Sequence, residues 1–131
     1  MNPLTLLRIE WTIAIGLTIG ALLARRGMFR AHGWLQGTLA LLNAALVVTR
    51  MIPAFRLQFS PSSGPPALAW IHATAGATAQ LLGLYMVLVA GLGWVPKNLA
   101  FTNYKLWMRI TLAAWWIAVS LGSALYVSFN T

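Results

Sequence analysis

A chain of 131 residues that is 60% hydrophobic and only 8% charged is far from a soluble domain, in which about a quarter of residues are charged. Its mean hydropathy of +0.76 makes it an integral membrane protein, of a size for one compact domain. A single acid stands against nine lysines and arginines, giving a net charge of +8. The basic residues sit at the ends of apolar runs, where topology and lipid headgroups explain them better than nucleic acid does.

The absence of cysteine excludes disulfides, thiolate zinc sites, iron–sulfur clusters and cysteine nucleophiles. No phosphate-binding, zinc-protease or serine-hydrolase motif is present. The start, Met1-Asn2-Pro3, lacks a basic n-region, so the first apolar run is expected to stay as a span.

Four runs of about 20 residues each match a ~30 Å hydrocarbon layer. The first covers about 3–24, interrupted early by Arg8 and Glu10, and Gly27 breaks the basic turn after it. The second covers about 33–52 and is expected to end at Pro53. A Pro- and Ser-rich connection leads to Ser63 or Gly64 as cap, with Pro65 and Pro66 in the first turn of the third span, about 67–93. Asn103 is a plausible cap for the fourth, about 104–129. The expected fold is all-α, a single antiparallel four-helix transmembrane domain.

Four spans put both termini on one side. Arg25, Arg26, Arg30, Lys97, Lys105 and Arg109 fall at one surface, and Arg8, Arg50 and Arg56 at the other. This bias predicts basic loops in the cytoplasm and termini outside, in a cell's inner (cytoplasmic) membrane. Trp34, Trp94 and Trp107 would then lie at the inner interface, with Trp11 and Trp70 at the outer one. Trp115 and Trp116 fall near mid-membrane, where they either pack in the core or stack on a flat cofactor.

In the third span His72, Gly76, Ala79 and Gly83 share one helical stripe, bordered by Gln80. Small residues on one face let a neighbouring helix approach closely in lipid. On the second span His32, Gln36, Asn43 and Arg50 fall on one face, which must turn inward. Asn43 and Gln80 both lie near mid-span, and a hydrogen bond between them would join the two helices. Contact with a ligand is the other reading. A buried carboxylate needs a partner, and the expected one for Glu10 is Arg50, with His72 nearby. That cluster is either a structural ion pair or a proton-handling or quinol-binding site with Glu10 as base.

His32 and His72 lie at opposite ends of antiparallel helices, so they cannot share one metal. Each could ligate a separate haem b, chlorin or copper. Met28, Met108 and Tyr104 are the second ligands nearest His32, and Met51 the one nearest His72.

The order of short motifs resembles a known family. Phe29-Arg30-Ala31-His32 opens span two and Ile71-His72-Ala73-Thr74-Ala75-Gly76 opens span three. Span four holds Tyr104-Lys105-Leu106-Trp107-Met108-Arg109, then Trp115, Ser120, Gly122 and Tyr126. Over about residues 25 to 128 this is similar to the small membrane proteins called domain of unknown function 420, which include an assembly factor of haem–copper terminal oxidases. The resemblance implies metal or haem handling by histidines at helix ends, carried here by His32 and His72. Tyr104 stands where the family's motif has a histidine, and none follows span two near Pro53-Ala54. Those departures imply a structural or accessory member.

The expected function is therefore an accessory or assembly subunit of a respiratory or photosynthetic electron-transfer complex. Its partners would be lipids and other membrane-protein subunits. The alternative is a small b-type cytochrome exchanging electrons with quinol. A transporter fits poorly, because four spans show no inverted repeat or broken helix for alternating access.

Overall fold

The computed structural model describes residues 2–58, 65–93, 96–98, 100 and 102–130, apart from the side chains of Gln58 and Ala90. The expected caps Ser63 and Gly64, and the interfacial Trp94, lie outside them. The described residues form helices and turns: α1 (Pro3–Arg25), α2 (Phe29–Leu46), α3 (Ile52–Gln58), α4 (Ala67–Met86) and α5 (Tyr104–Asn130). Wide π turns extend α2 over Val47–Met51 and α4 over Val87–Gly91. Four stretches are long and apolar enough to cross a membrane: Pro3–Arg25, Phe29–Leu57, Ala67–Val89 and Tyr104–Asn130.

Local chemistry sets most helix ends. Asn2 caps α1 by accepting from the Leu4 N–H at 2.9 Å, and Pro3 follows at the first helical position, where its missing N–H costs nothing. Gly27 takes φ +77° in the turn to α2, a conformation that an L side chain resists. Asn103 caps α5, its side-chain oxygen 3.1 Å from the Leu106 N–H.

Pro53 does not end the second span, as its sequence position suggests. It is the second residue of α3, directly after the π turn, and the helical path runs on to Gln58. The π turn closes with the Ile52 N–H on the Val47 carbonyl, five residues back. Such a turn departs from the i→i−4 ladder that an interior proline would break.

Each main helix packs on two others, in the cyclic order α1, α2, α4, α5 and back to α1. Ile13, Leu17, Ala79 and Trp115 form the centre of the core. Along the α1–α2 seam, rising positions of α2 meet falling positions of α1: His32 meets Gly20, Gln36 meets Leu17, Leu39 meets Gly16 and Asn43 meets Glu10.

Glycines make this approach possible. A Cβ at Gly16 would stand 2.7 Å from Leu39, and one at Gly20 2.7 Å from Gln36. On the other side Gly83 faces Trp115, and Gly122 faces the His72 ring, 3.0 Å from where its own Cβ would be. Within the stripe expected on span three, Ala79 and Gly83 are buried. Gly76 is not a packing contact, since a Cβ there would meet nothing within 4 Å.

Span two is the least covered. Only 11% of its most apolar window is buried, against 22% for the first and third spans. The backbone of Val47–Gln58 approaches no helix other than α2, although Phe55 meets Trp70 of α4 edge-on at 5.4 Å between ring centroids.

Candidate functional site

Three helices bring their polar side chains to one point. Glu10 of α1, Asn43 of α2 and Gln80 of α4 form a continuous cluster, with both amides buried. Glu10 Oε1 lies 2.6 Å, and Oε2 3.3 Å, from the end of the Asn43 amide that faces it. The Asn43 and Gln80 amides meet at 2.8 Å, and the other end of Gln80 reaches the Ala40 carbonyl oxygen at 3.1 Å. In hydrocarbon a polar side chain has no water to turn to, so these groups must satisfy one another. No buried side-chain nitrogen or oxygen among the described residues is left without a partner.

Arg50 is not part of this cluster. Its side chain is exposed, and among the described residues no ion pair joins it to Glu10. Seven residues separate Asn43 from Arg50, which returns to the same face only if the helix keeps 3.6 residues per turn. The π turn at Val47–Met51 breaks that period between them and swings Arg50 off the inward face.

The two histidines serve two different seams. His32 Nδ1 lies 2.8 Å from the Gly20 carbonyl oxygen of α1, and Gln36 Nε2 donates to the Leu17 oxygen at 2.8 Å one turn on. His72 Nδ1 lies 3.0 Å from the Ala118 oxygen of α5. A carbonyl only accepts, so in both rings Nδ1 carries the hydrogen, and in the neutral ring it is Nε2 that holds the lone pair. This is the orientation in which a histidine ligand is held by its second nitrogen. Among the described residues, however, no three His, Cys, Asp or Glu side chains group as a metal site.

The aromatic candidates divide. Trp115 is 3% exposed and belongs to the core. Trp116 donates its indole N–H to Thr18 Oγ1 of α1 at 3.0 Å and lies edge-on to Trp11, 5.6 Å between centroids. Trp11 in turn donates to Ser123 Oγ of α5 at 3.0 Å. Met108 is half-buried and Tyr104 exposed, at the start of α5.

Two shallow hollows open on the surface. One, of about 470 Å³, lies between α4 and α5 over Ile71, Thr74, Thr78, Ala114 and Ile117. The other, of about 510 Å³, lies at the α1–α2 turn over Met28, Phe29, Arg30 and Trp34. Neither is lined by His32, His72, Met108, Tyr104, Trp115 or Trp116.

Sequence reasoning missed the α1 half of this arrangement. Gly16 and Gly20, four apart in an apolar run, are the close-packing glycine pair of membrane helices, and this signal was available. The Trp11–Ser123 and Trp116–Thr18 bonds had no signal, because threonine and tryptophan recur on every span, the fourth span carries three serines, and no spacing pairs them.

No family model, curated protein or solved structure matches this chain.

Proposed function

We propose that the chain is an accessory or assembly subunit of a larger electron-transfer complex, of the respiratory terminal-oxidase or photosynthetic kind. In this reading its four spans form an antiparallel bundle in a cell's inner membrane, with basic turns in the cytoplasm and both termini outside, as the charge bias favours. The observation that carries the proposal is the uncovered second span. Leu41, Val48 and Leu57 are 57%, 64% and 88% exposed, and Gly33 and Gly37 have open space where a Cβ would point. Within this chain the same glycine spacing, at Gly16 and Gly20, receives a neighbouring helix. The electron-transfer setting is supported by the motif resemblance at His32, His72 and Tyr104–Arg109.

Photo-crosslinking in native membranes tests this reading. Reactive side chains placed at Leu41 and Val48 should capture a larger membrane subunit. The same probe at Ile19 and Ile117, exposed on α1 and α5, should capture it far less. Equal capture from all four sites, or from lipid alone, would remove the proposal.

The Nε2 atoms of His32 and His72, to which no described residue bonds, favour a second reading, a small b-type cytochrome. It requires a Soret band in the purified protein that is lost in His32→Ala or His72→Ala.

A further inference from the structure

Glu10, Asn43, Gln80 and the Ala40 carbonyl form a single line: carboxyl, amide, amide, carbonyl. An amide has one accepting end and one donating end, so the direction of hydrogen bonding chosen at one end of the line propagates to the other. At Ala40 there is no choice, because a backbone carbonyl only accepts. Gln80 must therefore present Nε2–H to it, at 3.1 Å. Gln80 Oε1 then faces Asn43 and accepts from Nδ2 at 2.8 Å. That leaves the Asn43 oxygen facing Glu10, 2.6 Å from Oε1. This is the distance of an O–H···O bond, and two bare oxygens do not approach so closely in hydrocarbon.

The opposite choices fail. Turning Asn43 alone supplies Glu10 with an N–H, but sets the Asn43 oxygen against Gln80 Oε1 at 2.8 Å. Turning both amides moves the same conflict to the Gln80 and Ala40 oxygens, 3.1 Å apart. Only a hydrogen on Glu10 satisfies all four groups.

We infer that Glu10 is an occupied proton-binding site: a neutral carboxylic acid that donates to Asn43 and so fixes the direction of the α1–α2–α4 network. Among the described residues no counter-charge faces it: Arg8, two residues away along α1, is exposed on another face of that helix. On α1 the residues a turn away are Leu6, Leu7, Ile13 and Ala14. From α2 and its π turn the ionisable groups are the exposed Arg30, His32, spent on Gly20, and the exposed Arg50; from α4 they are His72, spent on Ala118, and Tyr85. After Arg109, α5 carries Tyr126 alone. The proton cannot leave without setting two oxygens against each other somewhere along the line, so its release is coupled to the junction of three helices. Glu10 is then neither the base of a quinol site nor the counter-ion of Arg50.

The sequence makes this directly measurable, because Glu10 is the chain's single acidic side chain. Cell-free synthesis of the full chain with ¹³C-labelled glutamate, followed by infrared spectroscopy in lipid nanodiscs at neutral pH, reads the protonation state in the native sequence. The expected result is a protonated carboxyl C=O band that shifts with the label, with no labelled carboxylate band. Glu10→Gln should lose that band and keep the melting temperature, since its amide N–H can donate to Asn43 in place of the hydroxyl. A label that moves only carboxylate bands overturns the inference. So does a Glu10→Gln variant that no longer folds, because a neutral donor would then not suffice.

Discussion

The α1–α2 and α4–α5 seams use the same device with different parts. In both, a glycine on one helix opens a notch, and a polar side chain from the next helix enters it and bonds to a backbone carbonyl. On α1 the notch at Gly20 takes Gln36, with His32 bonded to the Gly20 carbonyl itself. On α5 the notch at Gly122 takes the His72 ring, bonded to Ala118. The difference lies in what surrounds the notch. The α1–α2 seam adds a second glycine and leads into the Glu10–Asn43–Gln80 cluster, so it is held by several directional bonds. The α4–α5 seam leads into Trp115 against Gly83, so there aromatic bulk does the holding. Apolar side chains gain little by leaving lipid for protein, and a membrane bundle must find specificity in close backbone approach and hydrogen bonds. This chain uses one at each seam more than the other.

The sharpest break in that comparison is Asn43→Leu. It removes the group shared by Glu10 and Gln80, and should destabilise the bundle by roughly 2 kcal/mol, the scale of leaving buried polar groups unmatched. Unfolding in mixed detergent micelles measures it, and unchanged stability would mean that the cluster holds nothing together.

Next in size is the glycine contrast. Gly20→Val should cost about 1–3 kcal/mol by forcing Gln36 out of its notch. Gly122→Ala should cost less, because a methyl group only nudges the His72 ring, and its cost should fall when His72 is already alanine. A double-mutant cycle on that pair checks the contact.

His32→Ala and His72→Ala each remove one bond to a carbonyl and should cost about 0.6–1.5 kcal/mol. The His72 variant should cost more, because the α4–α5 seam has fewer bonds to share the loss. The reverse order would undo the contrast between the seams. At the small end, Gly76→Ala meets open space and should be neutral, or stabilising by about 0.5–1 kcal/mol through helix propensity.

How far these residues could be read in advance differs from one to the next. The Asn43–Gln80 contact was legible, because two amides near the middle of neighbouring apolar spans have few other places to go. The partner of Glu10 was not. Face and depth counting paired it with Arg50, and the π turn at Val47–Met51 invalidates that count. Pro53 misled for the same reason, since a π turn beside it lets the helical path pass through. The role of His72 changed as well. It heads the small-residue stripe in sequence, but its ring lies across Gly122 on the far side of the α4–α5 seam.

The sequence alone determined the solvent. Composition and the spacing of apolar runs demand four helices of spanning length, because no other use of such segments satisfies their backbone. Asn103 and Gly27 fixed local ends through capping and φ, which are properties of a few adjacent residues. The tertiary structure decided the partners: which glycine is filled and which left open, which carbonyl each histidine holds, and that Glu10 meets an amide instead of a cation. Those outcomes depend on the relative rotation and register of helices. A single π turn resets both, and periodicity read along one chain does not contain them.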